Sequence, residues 1–259
     1  MDIISSSQNN LVKKLKLLST KKGRKRFCEF IVEGAKFVSC VPDNWEVTGI
    51  FVSESFYNSD EYDEFSSSKN IVLKDNVFDG VCDTITPQGI LAVVKTNEFA
   101  LEELFNDKKA FIVVACNLQD PGNLGTLIRT ADAAGASGVI ISRDSADIFS
   151  SKVVRSTAGS LFNIPIVICN VEEAVDALKK RDINVIATDL SAKNSPYETD
   201  LNNPLAILIG NEANGISKEL LKLADLRVKL PMIGGAESLN ASVASGILMY
   251  EVLRQRMGK

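Results

Sequence analysis

From Ala110 onward, short apolar runs alternate with segments of helical periodicity, and this alternation narrows the possible folds more than any other feature. The runs include AFIVVAC, IPIVIC and PLAILIG, which are rich in β-branched residues. Strands that are apolar on both faces, with helices between them, are typical of a parallel sheet covered by helices. We therefore predict an α/β fold in which ligands bind at loops leaving the carboxyl ends of the strands.

The first part of the chain predicts a smaller α/β unit. Residues 1–22 read as one helix, with Leu11, Leu15 and Leu18 on a shared face. FIVEGAKFVSCV predicts a strand, a turn and a helix, and EVTGIFVSE, NIVLKD and GILAVVKT predict further strands. NEFALEELFNDKK predicts a short connecting helix. These patterns end a first unit near Lys95 and begin a second at Ala110, and we set the domains at 1–97 and 110–259 with a linker at 98–109.

Composition excludes several kinds of site. The chain has 259 residues and no histidine, which rules out Ser-His-Asp catalysis and every His-based metal site. Its five cysteines are scattered, so a zinc cluster or a disulfide framework is not expected, and a reducing cytoplasm fits. No apolar run reaches membrane-spanning length, and the N-terminus lacks the apolar core of a secretory signal. We expect a cytoplasmic protein without metal or membrane attachment.

Positive charge is concentrated at the start of the chain. Residues 1–28 hold eight Lys or Arg and one acidic residue, a net charge of +7, whereas the rest of the chain holds 21 basic and 32 acidic residues, a net charge of −11. This arm is either a solvated charged surface or a surface that meets phosphate. Charge alone leaves both interpretations open.

Three loops after predicted strands combine glycine with polar residues: CNLQDPGNLGTLIRTADAAGASG, IGNEANGIS and LPMIGGAESLNAS. The chain has no G-x-G-x-x-G after a strand and no G-x-x-x-x-G-K-[ST], which disfavours a standard dinucleotide fold and a phosphate-cradling NTPase. In the first loop, Pro121 and Gly122 can form a turn and Asn123 can cap the next helix, while Arg129 can be an ordinary surface residue.

The other two loops have structural interpretations of the same kind. Gly210 and Gly215 suit positive φ angles, and Glu212 favours a nearby helix start through its charge. Ser238 or Glu237 can cap the last helix. Any one loop is explained by turn and cap chemistry, but three such loops in one domain indicate a binding site.

Taken together, DPGNLGTLIRTADAAG, ILIGNEANGIS and LPMIGGAESLNASVASGILMYE resemble the SpoU/TrmH family of SPOUT RNA methyltransferases in order and spacing. The resemblance covers about Ala110 to Gly258. FIVEGAKFV and TPQGILAVV resemble, more weakly, the accessory RNA-binding domain of that family. The resemblance implies a trefoil knot between about Thr188 and the final helix, with S-adenosylmethionine bound in it. The implied cofactor residues are Thr188, Leu190, Ile209, Gly210, Met232, Ser238 and Leu239.

The family reaction methylates a ribose 2′-hydroxyl of RNA, and the resemblance implies a role for each matching residue. Asn123 and Arg129 match the catalytic pair of the first motif. A guanidinium resists deprotonation, so Arg129 would bind a phosphate and stabilise the developing 2′-oxyanion, with Asn123 orienting it or the substrate. Glu212 would accept or relay the proton, or fix Arg129 through an ion pair. Ser238 and Asn240 would hold the nucleotide or the donor.

The resemblance favours ribosomal RNA, most of all 23S ribosomal RNA, over transfer RNA, and it implies a homodimer. Two alternatives remain. A catalytically silent RNA-binding module on this fold is disfavoured because all five of these polar or charged residues are present. An unrelated α/β enzyme acting on a small phosphorylated ligand is disfavoured because such a substrate needs neither a basic arm nor an accessory domain.

Overall fold

The computed structural model describes residues 3–211 and 213–258. It consists of two compact units, each formed by two stretches of the chain. The first unit is made of Met1–Asn97 and Asp147–Phe162, and the second of Glu98–Ala146 and Asn163–Lys259.

A five-stranded mixed sheet forms the centre of the first unit, with strand order β1-β4-β3-β5-β2. Strand β1 pairs parallel with β4 and β4 with β3, whereas β5 is antiparallel to both β3 and β2. The elements of this unit, numbered along the whole chain, are β1 (Ile3–Ile4), α1 (Asn10–Leu18), α2 (Lys21–Phe27), β2 (Glu29–Glu33), α3 (Ala35–Val38), β3 (Val47–Ser53), α4 (Glu54–Tyr57), β4 (Asn70–Leu73), α5 (Asp75–Asp79), β5 (Ile90–Lys95) and α7 (Ser151–Thr157).

The single helix predicted for residues 1–22 is wrong, because the chain breaks it at Thr20. The Thr20 hydroxyl accepts a hydrogen bond from the backbone N–H of Gly23 and so caps a second helix. A Cβ at Gly23 would lie 1.9 Å from the carbonyl oxygen of Leu17, so only glycine permits this close junction. The buried face of α1 is Val12, Leu15 and Leu18, whereas Leu11 is exposed.

Residues 147–162 pack within the first unit, although the sequence-based boundaries assigned them to the second domain. Phe149 packs against Phe30 in a tilted arrangement with ring centroids 4.7 Å apart, and Phe162 meets Trp45 edge-on at 5.0 Å. Residues far apart in sequence thus share one aromatic cluster. Local patterns cannot reveal such a contact.

Six parallel strands form the sheet of the second unit, in the order β11-β9-β10-β6-β7-β8. This is the parallel α/β fold that the alternation of apolar runs predicted. The elements are β6 (Phe111–Ala115), α6 (Pro121–Ala133), β7 (Gly138–Ser142), β8 (Ile166–Cys169), α8 (Val171–Lys179), β9 (Asn184–Thr188), β10 (Leu205–Ile209), α9 (Lys218–Leu223), β11 (Leu226–Val228) and α10 (Ala241–Arg256).

Helices cover both faces of this sheet. Val175 and Leu178 of α8 share one core with Ile112 and Val114 of β6. On the other face, the Arg256 guanidinium of α10 lies over the ring of Phe111, as the alternation of strand side chains requires. The segment predicted as a linker contributes to the first of these cores, because a short 3-10 helix at Leu101–Phe105 buries Leu104 completely.

No helix in the described part of the chain combines the length and the apolar character needed to cross a membrane.

Candidate active site

A cavity of about 470 Å³ opens where β9, β10 and β11 end. Parallel strands bring their carboxyl ends to one edge of the sheet, and these three strands are neighbours in it. The volume lies in the range of small-molecule sites. All seven residues predicted to bind a cofactor line this cavity: Thr188, Leu190, Ile209, Gly210, Met232, Ser238 and Leu239.

Gly210 closes the tight loop after β10. A Cβ at this position would lie 2.4 Å from the backbone carbon of Gly215 and 2.6 Å from the nitrogen of Ile216. Glycine is therefore required at Gly210 for close approach of two backbones, and not for the positive φ angle that the sequence suggested. Gly215 does have a positive φ angle, of 65°.

Asn211 ties this loop to the loop after β6. Its side-chain Nδ2 donates to the carbonyl oxygen of Asn117 at 2.8 Å, and its Oδ1 accepts the backbone N–H of Ala213 at 2.8 Å. The cavity wall is thus held by side-chain hydrogen bonds as well as by the sheet.

Asp189 supplies negative charge to the cavity wall. Burial opposes its ionisation, but hydrogen bonds from Ser191 and the nearby Arg227 guanidinium outweigh this effect and hold the pKa of Asp189 below its ordinary value. The exposed leucines Leu190 and Leu239 add apolar surface beside it. The cavity therefore offers apolar contact and backbone groups next to a fixed carboxylate.

Helix α6 begins earlier than the sequence suggested. Asp120 is the N-cap residue, Pro121 is the first helical residue, and the Asp120 carboxylate accepts the backbone N–H of Asn123 at 2.8 Å. The prediction that Asn123 caps this helix is therefore wrong. Since Asp120 performs the capping, the Asn123 side chain makes contacts elsewhere.

Asn123 and Asn240 meet through their side chains. Asn240 is the N-cap of α10, which corrects the assignment of that cap to Ser238 or Glu237. The Nδ2 group of Asn240 donates to Oδ1 of Asn123 at 3.0 Å. Two residues that are 117 positions apart thus join the N-terminal ends of α6 and α10.

Among the described residues, Arg129 and Ser238 make no hydrogen bond to this asparagine pair. Arg129 lies six residues beyond Asn123, about 9 Å farther along the helix axis, and its side chain is exposed. Within residues 3–211 and 213–258 its guanidinium has no hydrogen-bond or ion-pair partner. Ser238 is exposed and lines the cavity. Glu212 lies outside the described residues.

Sequence reasoning missed Ser242, whose hydroxyl contacts both asparagines. A serine two residues after a helix cap is common, so no local signal distinguishes it. Cys116 is no nucleophile, because burial raises the pKa of its thiol to about 12. Among the described residues there is no cluster of three or more Cys, Asp or Glu side chains arranged to hold a metal ion.

Comparison with known families gives two matches. Residues 110–250 match the SpoU rRNA Methylase family, which is more than half of the chain. Residues 9–92 match the MRM3-like substrate binding domain.

Curated relatives and solved structures that resemble the chain are also named as methyltransferases. The chain is 37% identical to the 23S rRNA (guanosine(2553)-2′-O)-methyltransferase RlmP of Bacillus subtilis, over 97% of this chain and 99% of that protein. It is 36% identical to the 23S rRNA (guanosine-2′-O-)-methyltransferase RlmB of Pseudomonas putida, over 66% and 72%. The AdoMet-bound rRNA methyltransferase of Sinorhizobium meliloti superposes with a TM-score of 0.87 and 29% identity, covering 98% of each chain. AviRb of Streptomyces viridochromogenes, a SpoU methyltransferase in complex with AdoMet, gives a TM-score of 0.88 and 30% identity, covering 96% and 99%.

Proposed function

The chain belongs to the SpoU rRNA methylase family, and from that premise we propose that it transfers a methyl group from S-adenosylmethionine to a ribose 2′-hydroxyl of 23S ribosomal RNA. The observation that carries this proposal is the juxtaposition of the cavity with the Asn123–Asn240 pair. The loop that lines the cavity with Ser238 and Leu239 runs directly into Asn240.

The cavity fits the cofactor by its construction. Backbone groups at the ends of three strands surround a space of about 470 Å³, and a Cβ at Gly210 would intrude on this loop. The apolar side chains of Leu190 and Leu239 are suited to pack against an adenine ring. We assign contacts with S-adenosylmethionine, through backbone and side-chain groups, to the seven cavity residues named above. When bound, S-adenosylmethionine supplies a methyl group on a positively charged sulfonium, so no metal is required.

The protein's contribution is to place and activate the ribose hydroxyl. Arg129, exposed and cationic, is suited to bind a phosphate next to the target and to stabilise the developing 2′-oxyanion. Asn123 and Asn240 are held together by a hydrogen bond between their side chains, and in this arrangement they orient the nucleotide. We assign the proton acceptor or relay to Glu212, and a holding role for the nucleotide or the donor to Ser238.

We propose a trefoil knot in the segment between Thr188 and α10. Three strand exits crowd around one cavity there, and residues of all three line it. This crowding supports a threaded chain. A cytoplasmic location is supported by the five cysteines, all of which are free.

The experiment that tests the function measures methyl transfer from labelled S-adenosylmethionine to purified ribosomal and transfer RNA, followed by mapping of ribose methylation. We expect label in 23S ribosomal RNA at a ribose 2′-oxygen. Label in transfer RNA alone would show that transfer RNA, and not 23S ribosomal RNA, is the substrate. Donor binding without incorporation into any RNA would indicate a catalytically silent RNA-binding module.

The basic surface of the first unit is proposed to bind RNA phosphates, and six of its eight cationic residues are exposed and outside ion pairs in the described part of the chain. Arg24 and Lys14 are engaged in ion pairs with Asp147 and Glu29. Exposed positive charge remains on α1 and α2 at Lys13, Lys16, Lys21, Lys22, Lys25 and Arg26.

Replacing Lys21, Lys22 and Lys25 together with alanine is expected to weaken RNA binding and to reduce its salt dependence. If all three contact single-stranded RNA, the slope of log K against log salt concentration falls by about 2, since each phosphate contact contributes roughly 0.7. Fluorescence anisotropy at several salt concentrations measures this. The matched control replaces the exposed Lys108, Lys109 and Lys180 of the second unit. Equal slopes for the wild type and the first variant would contradict the assignment.

A homodimer is proposed through α10. Apolar side chains recur on its exposed face at Val243, Ile247 and Tyr250 and continue at Met257, the C-cap residue, and three of them are 51%, 51% and 57% exposed (Val243, Tyr250 and Met257). Their spacing of four, three and seven residues puts them in one stripe. A face of this kind, left open on a helix, fits a second copy of the same helix.

Changing Tyr250 and Met257 together to glutamate is expected to convert a dimer into a monomer. Charge buried in a helix interface without partners opposes association. Sedimentation velocity should show twice the chain mass of 28.1 kDa for the wild type and the single chain mass for the variant. Ile85→Glu, at a fully exposed residue of the first unit, is the matched control. A wild-type monomer, or an unchanged variant dimer, refutes this interface.

A further inference from the structure

Ser242, the second residue of α10, contacts both asparagines of the candidate site. Its Oγ lies 2.6 Å from Oδ1 of Asn240 and 3.3 Å from Oδ1 of Asn123. The side chain is half-buried. One hydroxyl therefore donates a hydrogen bond shared between residues of two different helices.

This hydroxyl acts together with backbone N–H groups of α10 to set the orientation of both amide groups. Oδ1 of Asn240 already accepts the backbone N–H groups of Ser242 and Val243, at 2.9 and 3.3 Å. With Oδ1 of Asn240 turned toward the helix, its Nδ2 is directed at Asn123. Oδ1 of Asn123 then accepts from both Asn240 and Ser242, so its amide cannot rotate by 180° without losing both bonds.

We propose that Ser242 is a positioning residue for methyl transfer, acting through Asn123 and Asn240. This inference rests on the proposed function of that site. A purely structural role explains the contacts less well, because Asn240 already caps α10 and satisfies its first backbone N–H groups. The hydroxyl adds nothing that the helix end requires, whereas it fixes two side chains at the mouth of the reaction site.

The first test compares Ser242→Ala with Ser242→Thr, which keeps the hydroxyl. Ser242→Ala should lower kcat by about three- to ten-fold, the range of one or two neutral hydrogen bonds, with little change in KM for RNA or in the affinity for S-adenosylhomocysteine. Ser242→Thr should restore most of kcat. The thermal unfolding midpoint should stay near that of the wild type. Ser245→Ala is the matched control, because in the described part of the chain that hydroxyl bonds only to the Ser242 carbonyl oxygen of the same helix.

Two further measurements separate positioning from general disturbance. In Ser242→Ala, the side-chain amide signals of Asn123 and Asn240 should shift in nitrogen-proton NMR spectra of the protein without cofactor or RNA, and in Ser245→Ala they should not. In a double-mutant cycle, Ser242→Ala should cause a smaller loss of kcat when Asn123 is already alanine than it causes in the wild type.

The outcomes distinguish this inference from the function on which it rests. A wild-type protein that methylates no RNA refutes the proposed function, while the amide signals still report whether Ser242 orients the asparagines. A wild-type enzyme that methylates RNA, together with a Ser242→Ala variant of unchanged kcat and unchanged amide signals, refutes the inference alone. Additive losses in the double-mutant cycle would also overturn it.

Discussion

Replacing Arg129 with alanine is expected to lower methyl transfer to RNA by about 100-fold or more, while the affinity for S-adenosylmethionine stays nearly unchanged. The reason is positional. Arg129 is exposed on α6 and is absent from the residues lining the cavity, so it is placed to meet RNA and not the donor. Its charge would act on the phosphate and on the oxyanion that develops as the hydroxyl loses its proton.

The measurement combines single-turnover methylation of RNA with calorimetric titration of S-adenosylhomocysteine. Arg181→Ala is a matched control, since Arg181 is an exposed arginine just before β9, at the opposite end of that strand from the cavity. Arg129→Lys keeps the charge but loses the planar fork, and it should recover only part of the rate. Equal losses of donor affinity and rate in Arg129→Ala would show that this residue supports the cofactor site instead.

Much of the second unit could be predicted because short, contiguous stretches of sequence specify its strands and the loops that follow them. β6 and β10 are short, apolar on both faces and buried along their whole length, a pattern typical of inner strands of a parallel sheet. The loops at the strand ends were recognisable for the same reason, since glycine and polar residues follow directly after each run. Strand order, in contrast, depends on pairings such as β9 with β10 and β11, which no single segment encodes.

The caps were predicted less well than the strands, and the errors matter for the site. Asp120 and Asn123 are both good capping residues, and proline at position 121 decides between them because it suits the first helical position. Assigning the cap to Asp120 gives Asn123 its contact with Asn240. In α10, the choice of Asn240 over Ser238 likewise leaves Ser238 at the cavity. Small shifts of a helix start thus decide which polar residues face a ligand.

The structure was needed to tell which cations of the basic arm form ion pairs and which face solvent. Sequence alone counted eight cations in residues 1–28 and could not separate those bound to carboxylates from those facing solvent. Arg24 is the clearest case, because it is buried. Its Nη2 and Nε both bond Oδ2 of Asp147, at 2.8 and 3.1 Å, and its Nη1 bonds the carbonyl oxygens of Leu18 and Ser19.

Arg24→Ala is therefore expected to destabilise the protein by about 3–5 kcal/mol, the cost of removing one partner of a buried ion pair. The side chains of Arg24 and Asp147 are only 8% and 17% exposed, so the stranded carboxylate would have little access to water. The two helix-end carbonyl oxygens would also lose their donor, which loosens the junction of α1 and α2. Thermal unfolding should show a midpoint lowered by roughly 10 °C.

Lys25→Ala, at the exposed neighbour of Arg24, is the matched control and should leave the unfolding midpoint almost unchanged. Replacing both partners with apolar residues, Arg24→Met and Asp147→Leu, should be less destabilising than Arg24→Ala alone, because no buried charge is left without a partner. If Arg24→Ala and Lys25→Ala unfold at the same temperature, the Arg24–Asp147 pair does not hold residues 147–162 in the first unit. The aromatic cluster of Phe30, Phe149 and Phe162 would then be sufficient for that packing.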